Sequence, residues 1–176
     1  MQRESTGYLI DKRYYLPPVA FDHDELEALA LGIAVVGQWT DAPFAAKATS
    51  ALEKISAALP PELQGDMAQI TTFSVPGASR IPWTVSFSDI RNAIRDRRKI
   101  QVNYVDLQDR TSRRILRPLA LIFASPVWVV AAWCESRHDF RNFRLDRIER
   151  LACLEDRFEE EPDKNLSAFK AREQEP

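Results

Sequence analysis

The sequence predicts an α+β fold in which a helical N-terminal region is followed by five short antiparallel strands. Between residues 22 and 59, apolar residues recur at spacings of three and four, which indicates amphipathic helices. From residue 100 onward the apolar period changes to two, which is typical of half-buried strands. Polar turns separate these strands at short intervals, so we expect a small barrel or a strongly bent sheet.

Two helices are expected in the N-terminal half of the chain. The first follows a capping aspartate, Asp22 or Asp24, and continues to about Val36. The second extends from about residue 44 to residue 59 and stops at Pro60 and Pro61, which cannot continue a helix. Before these helices, residues 1–20 read as a short hairpin.

The strand region begins after a third helix. Residues 70–87 alternate in a β-like pattern, and Ser88 or Asp89 is then expected to cap a basic helix over residues 90–98. The five strands that follow are predicted at residues 100–104, 115–123, 127–134, 140–145 and 148–154. An acidic tail beyond Glu155 is expected to be partly helical or frayed.

Composition favours a cytoplasmic globular protein. The chain has 176 residues, of which 45% are hydrophobic and 28% charged, and no apolar run approaches the roughly 20 residues that span a bilayer. Its two cysteines, Cys134 and Cys153, lie in apolar segments without metal-ligand spacing, so we expect buried thiols in a reducing compartment. We expect no metal and no cofactor.

The charges are segregated along the chain. Residues 1–90 carry six basic and 11 acidic side chains, and residues 151–176 carry four and eight. Residues 91–150 carry 14 basic and seven acidic side chains, and all but one of the basic ones are arginine. Because the planar guanidinium suits bidentate recognition of phosphate or carboxylate, the middle block is where an anionic partner is expected.

Three segments of the middle block carry a family resemblance: residues 112–121, residues 128–134 and residues 137–148. They contain Arg-Pro-Leu at 117–119 and Phe-Arg-Leu-Asp-Arg-Ile at 143–148. Together they closely resemble the WYL domain of YafY-type (DeoR-like) transcriptional regulators. The signature Trp-Tyr-Leu is replaced here by Trp128-Val129-Val130, so two of its three residues differ. The resemblance implies a small SH3-like (Sm-like) five-stranded barrel.

The resemblance extends upstream and predicts four regions. Residues 1–20 look like the remnant of the wing of a winged helix-turn-helix, and residues 21–87 look like the helical linker and dimerisation region with β segments. Residues 88–158 correspond to the WYL domain and residues 159–176 to an acidic tail. The family begins with a helix-turn-helix before the wing, and most of it is missing here. We therefore expect no sequence-specific duplex binding by this chain alone.

The resemblance also implies an arginine-rich surface for an effector. Arg114, Arg141 and Arg144 are the predicted core of this site, with Tyr104 and Arg117 at its edge. The effector is expected to be anionic, such as a nucleotide or a single-stranded nucleic acid, since phosphates meet guanidinium groups and bases stack on aromatic rings. The alternative for any single arginine is an ordinary surface ion pair with a nearby aspartate or glutamate.

Three other residues of this block are interpreted as structural. Arg147 lies beside Asp146 in the tight link between two strands. Trp128 and Trp133 are five positions apart, so in a regular strand they face opposite sides, and core or interface packing is the preferred role for both.

Two kinds of function compete with the sensor, and catalysis is expected to be absent. The two histidines, His23 and His138, are far apart, and no nucleophile motif or phosphate-binding glycine loop is present. The first rival is a truncated regulator that acts as an interaction or dimerisation partner of a full-length relative. The second is an enzyme on a small-barrel scaffold. A homodimer is expected because the two N-terminal helices must bury their apolar stripes.

Overall fold

The computed structural model describes residues 20–61, 64 and 81–174. The hairpin predicted at the start of the chain lies, except for its last residue, outside the described residues, as does the β-like segment up to residue 80. Residues 81–86 are described and are irregular, so this part of the predicted β segment is not a strand.

Both N-terminal helices begin at aspartate caps. Helix α1 spans His23–Trp39, and Asp22 and Glu25 form a reciprocal capping box with bonds of 2.8 and 2.9 Å. Helix α2 spans Ala42–Ala58, slightly earlier than the sequence predicts, because the Asp41 carboxylate accepts from a backbone N–H of its first turn. The two helices pack against each other.

Helix α3 spans Phe87–Arg95, so it begins and ends three residues earlier than predicted. Its cap is Ser86, whose hydroxyl accepts the backbone N–H of Asp89 at 3.0 Å. Ser88, the predicted cap, instead donates through its backbone N–H and its hydroxyl to the Asp41 carboxylate at 2.8 and 2.9 Å. One aspartate thus holds the first turns of α2 and α3 together.

The remaining described residues form one sheet and a last helix. The strands are β1 (Arg98–Val105), β2 (Thr111–Ala124), β3 (Val127–Cys134), β4 (Asp139–Arg144) and β5 (Ile148–Arg157), and helix α4 spans Leu166–Glu173. Every neighbouring pair is antiparallel, in the order β4-β3-β2-β1-β5. The predicted α+β class, with five antiparallel strands after a helical region, is confirmed.

The predicted barrel is not confirmed. Strands β4 and β5 are the two edges of the sheet, and in the described residues no ladder joins them. They are nevertheless consecutive in sequence, joined by one 3₁₀ turn, Leu145–Arg147. Such a turn spans about 6 Å, whereas the edges of a flat five-stranded sheet lie about 19 Å apart. The sheet is therefore open but strongly curved.

The core lies between the curved sheet and α3. The face of the sheet that contacts α3, here called the inner face, carries buried apolar side chains from all five strands and the 3₁₀ turn. The buried residues of this core include Phe87, Ile90, Ala93, Ile100, Val102, Leu116, Val130, Ala132, Phe143, Leu145 and Ile148. Helix α3 thus covers one part of the inner face. None of the helices in the described part combines the length and apolar composition that crossing a membrane requires.

Candidate functional site

A cavity of about 400 Å³ opens on the inner face where β1 and β3 end and where β2 and β4 begin. Inward-facing side chains occur at every second position of a strand. The inward-facing side chains at this end of the strands therefore line the cavity, and those farther along the same strands belong to the core. The lining residues are Tyr104, Asp106, Ser112, Arg114, Cys134, Arg137, Arg141, Asn142 and Phe143. This arginine cavity brings together three of the five predicted effector residues, namely Tyr104, Arg114 and Arg141.

Arg114 is held in the cavity by hydroxyl groups. Its Nε donates to Ser112 Oγ at 3.2 Å, and its Nη1 donates to Ser136 Oγ at 3.1 Å. Neither serine carries a charge, and no carboxylate pairs with Arg114 among the described residues. The guanidinium is therefore oriented while its positive charge stays available to an anion.

Two further guanidinium groups line the same cavity. Arg137, in the turn between β3 and β4, is exposed, and its guanidinium makes no hydrogen bond or ion pair with any described residue. Arg141 is 56% exposed and contacts the Asp139 carboxylate at 3.0 Å. Three arginines from separate parts of the sheet thus surround one cavity.

Asp106 is the carboxylate that lines this cavity, and its charge is already engaged. It accepts the backbone N–H groups of Gln108 and Arg110, at 2.8 and 3.0 Å, and the Arg110 Nε at 2.9 Å. The backbone bond from Arg110, followed by its side-chain bond, lowers the pKa of Asp106. Asp106 therefore neutralises Arg110 at the turn, and the cavity keeps an excess of positive charge.

An aromatic pair forms one wall of the cavity. The rings of Tyr104 and Phe143 meet edge to face, with centroids 5.0 Å apart. Phe143 is buried, and Tyr104 is half-buried at the cavity edge. A planar ring beside guanidinium groups can accommodate a base or another flat apolar group of a ligand.

Arg144 lies outside the cavity. Arg144 lies three positions after Arg141, so the two side chains project from opposite faces of β4. Its Nε and Nη2 donate to the two Asp146 oxygens at 3.1 and 2.9 Å. The hydrogen bonds to Asp146 raise the pKa of Arg144, and the charge of Tyr104 contributes to the same shift. Arg144 is thus near the cavity wall but bound by its own carboxylate partner.

Arg117 also lies away from the cavity, on the opposite, outer face of the sheet. It is 13% exposed and donates to Glu135 at 2.9 Å and to Glu161. Lys99 contacts the same Glu135 carboxylate at 2.7 Å. Burial opposes the charged form of Arg117, but its hydrogen bonds to the two glutamates raise its pKa. This geometry favours a structural role for Arg117.

The three residues interpreted as structural make internal contacts. Arg147 donates to the Asp106 carbonyl at 2.7 Å, and its Nε is buried without a partner among the described residues. Trp128 donates its indole N–H to the Trp39 carbonyl. Trp133 meets the ring of Phe140 edge to face at 5.2 Å. Their structural assignment stays a prediction that these contacts favour.

Comparison with known families identifies the part of the chain that contains the cavity. Residues 86–153 match the family model described as WYL domain. Residues 86–153 are a WYL domain. The arginine cavity and its aromatic wall lie within this WYL domain, and so do α3 and most of the sheet.

The chain is also similar to proteins that have been named or whose structures are solved. Over 76 residues the chain is 36% identical to the DNA-binding transcriptional repressor CapW of Escherichia coli (strain KTE188), and a second CapW from Escherichia coli matches to the same extent. The match covers 43% of this chain and 25% of the repressor, so the chain spans about a quarter of the length of these relatives. A solved structure, proteasome accessory factor B/C (PafBC) of Arthrobacter aurescens, is 29% identical, covers 80% of this chain and 22% of that chain, and has a TM-score of 0.39.

Sequence reasoning missed Arg137 and the serines that hold Arg114. Arg137 lies inside a segment on which the WYL resemblance rests, but a turn position has no strand face and gave no reason to choose it. The hairpin register supplies that reason, because Cys134 pairs with Asp139 and the turn between them lies beside the start of β2. Among the described residues, Arg137 and Asn142 line the cavity, whereas the predicted Arg144 and Arg117 do not.

Proposed function

We propose that this chain is the ligand-sensing module of a bacterial transcriptional regulator of the YafY/DeoR-like type, and that it binds an anionic effector in the arginine cavity. The observation that carries the proposal is that Arg114 and Arg137 line one cavity without a carboxylate partner among the described residues. Guanidinium groups that are oriented but not neutralised gain most from a bound anion. The regulatory role is supported by the WYL domain and by the similarity to CapW, which is a DNA-binding transcriptional repressor.

The effector that fits this chemistry is a nucleotide or a short single-stranded nucleic acid. A volume of about 400 Å³ is compatible with a small ligand or one unit of a polymer. The guanidinium groups would bind phosphate, and the Tyr104 ring would lie against a base. We assign binding rather than catalysis to the cavity, because its uncompensated charges belong to arginines, which do not transfer protons near neutral pH, and its carboxylate Asp106 is engaged by Arg110.

The first prediction is that Arg114→Ala, Arg137→Ala and Arg141→Ala each weaken effector binding. A charge-assisted bond contributes about 1.5–3 kcal/mol, so each loss should lower the affinity by about ten- to a hundredfold. The measurement is fluorescence anisotropy with short labelled oligothymidylate, oligouridylate and cyclic nucleotides, at low and at raised salt. If the ligand is a nucleic acid, affinity should fall steeply with salt as phosphates release counterions.

Arg147→Ala is the matched control for these variants. Because its guanidinium does not line the cavity and bonds to the backbone carbonyl of Asp106, we expect a lower melting temperature and only an indirect effect on binding. Arg144→Ala should have a smaller effect than Arg114→Ala, since Asp146 already occupies its guanidinium. Wild-type affinity in the Arg114 and Arg137 variants would show that the arginine cavity is not the effector site.

A second candidate function is an interaction module that pairs with another copy or with a full-length relative. The favouring observation is that α2 buries no residue and α1 buries only Leu26 among the described residues. Amphipathic helices that bury so few of their own side chains leave apolar surface for a partner. We expect a homodimer at tens of micromolar, the range in which roughly micromolar affinity is visible by light scattering. A clean monomer in that range would contradict it.

A further inference from the structure

The Asp139 carboxylate is shared between the arginine cavity and helix α4. One oxygen contacts Arg141 Nη2 at 3.0 Å, and the other accepts a hydrogen bond from Arg172 Nη1. The hydrogen bond from Arg172, followed by the charges of Arg172 and Arg141, lowers the pKa of Asp139, so the carboxylate is ionised near neutral pH. Two cations from different elements thus compete for one anion.

Helix α4 docks through few contacts. It has eight residues, and its one buried side chain among those described is Phe169, which meets Phe140 edge to face at 5.8 Å. A helix this short is not stable by itself, so it depends on the surface on which it lies. The bond from Arg172 to Asp139 is a charged contact that anchors α4. The docking of α4 is therefore sensitive to how strongly Asp139 interacts with Arg141.

We propose that Asp139 couples occupancy of the arginine cavity to the docking of α4, by holding both Arg141 and Arg172 when the cavity is empty and Arg172 alone when it is filled. The inference rests on the proposed function, because it assigns a regulatory contact to the same cavity. An anion bound to Arg141 replaces the Asp139 carboxylate as the ion-pair partner of the Arg141 guanidinium. The carboxylate is then left to Arg172 alone, and α4 is held more tightly.

The coupling acts equally in the other direction. By linkage, the docking of α4 raises the affinity of the cavity for an anion by the same factor by which a bound anion stabilises docking. When Arg172 is removed, Asp139 returns fully to Arg141 and competes with the ligand. Because both ion pairs are largely exposed, the factor is expected to be small, about two- to fivefold.

The first experiment measures binding of a short labelled oligothymidylate to the full 176-residue chain. Arg172→Ala should weaken binding about two- to fivefold, and Asp139→Asn should tighten it, since the competing carboxylate is gone. In the Asp139→Asn background, Arg172→Ala should have no further effect. Lys170→Ala is the matched control, because the exposed side chain of this lysine on α4 makes no hydrogen bond or ion pair with any described residue. The substitution removes the same charge as Arg172→Ala does.

The second experiment needs no ligand and measures hydrogen exchange at the amides of α4. Arg141→Ala should slow exchange about twofold, because Asp139 then pairs only with Arg172, whereas Asp139→Asn and Arg172→Ala should accelerate it. If Arg172→Ala weakens binding equally with and without Asp139, or if Arg141→Ala leaves exchange unchanged, the coupling is wrong. If wild type binds no probe, the proposed function fails, and the exchange rates alone decide whether Asp139 is shared.

Discussion

Arg114 and Arg117 lie three positions apart on β2, and this spacing places them on opposite faces of the sheet. On the inner face, Arg114 meets two serine hydroxyls and remains uncompensated by a carboxylate among the described residues. On the outer face, Arg117 meets Glu135 and Glu161 and is largely removed from solvent. Two residues of the same type on one strand therefore have different roles, and their partners decide which is available to a ligand.

The prediction at this scale is that Arg117→Ala lowers stability and leaves effector binding close to wild type. Its removal leaves two carboxylates without their shared partner, which should cost about 1–3 kcal/mol of unfolding free energy. Arg110→Ala is the control, since Arg110 is 74% exposed and its pair with Asp106 at the surface should contribute far less to stability. The measurement is urea denaturation of both variants. If Arg117→Ala lost affinity for the effector while its stability stayed unchanged, Arg117 would belong to the effector site.

At the scale of elements, the segment between β5 and α4 is tied to the outer face by ion pairs. Arg97 pairs with Glu160 at 2.6 Å, and Glu161 accepts hydrogen bonds from both Lys164 and Arg117. The bond from Lys164, followed by the bond from Arg117, lowers the pKa of Glu161 from 4.5 to about 2. This segment precedes α4 directly, so its attachment keeps α4 beside β4.

The prediction for this element is that acid releases α4 before the sheet unfolds. A carboxyl whose pKa is lower in the folded state stabilises above its unfolded pKa and loses that contribution as pH falls through the folded value. For Glu161 the window therefore runs from about 4.5 down to about 2. The protection of the α4 amides, measured as the ratio of intrinsic to observed exchange rate at each pH, should fall across this window. Glu161→Gln should show faster exchange at neutral pH and less change on acidification, and an identical pH profile in both proteins would refute the assignment.

At the scale of the whole molecule, aromatic side chains join the helical region to the WYL domain. Phe87 is 2% exposed, and its ring lies 4.8 Å from Trp128, 5.9 Å from Phe44 and 6.4 Å from Trp83. Trp128 in turn donates to the Trp39 carbonyl at the end of α1. Helices α1, α2 and α3 therefore meet the sheet through one cluster, and we expect them to unfold with it.

The prediction at this scale is that Phe87→Ala destabilises the entire chain. Removing a fully buried phenylalanine costs about 3–5 kcal/mol, because the cavity it leaves fills only in part. Phe123→Ala is the control, since Phe123 is 38% exposed and should cost far less. Unfolding followed by far-ultraviolet circular dichroism and by tryptophan fluorescence should give coincident transitions in wild type. Separate transitions for helices and sheet would show that the aromatic cluster does not couple them.

Local sequence patterns predicted the strands well and the helix starts less well. Strand β3 covers the predicted residues 127–134, because its apolar run is bounded by turn residues on both sides. Helix α3 starts earlier than predicted, because Ser86 and Ser88 are both good caps and only the contact with Asp41 decides between them. The turn spacing predicted a small barrel or a strongly bent sheet, and the family resemblance implied an SH3-like barrel, whereas the strand order leaves the sheet open.

The sequence by itself determined the α+β class, the five antiparallel strands, the WYL domain and the arginine-rich block, since periodicity, composition and motif are local properties of the chain. Only the tertiary structure decided which arginines share a cavity. Arg137 enters it because the β3–β4 turn folds beside the start of β2, and Arg117, which lies on the outer face, is neutralised there by an acidic segment from beyond β5. Charge can be counted along a sequence, but whether it is neutralised depends on partners that folding brings from far along the chain, as Glu161 is brought to Arg117.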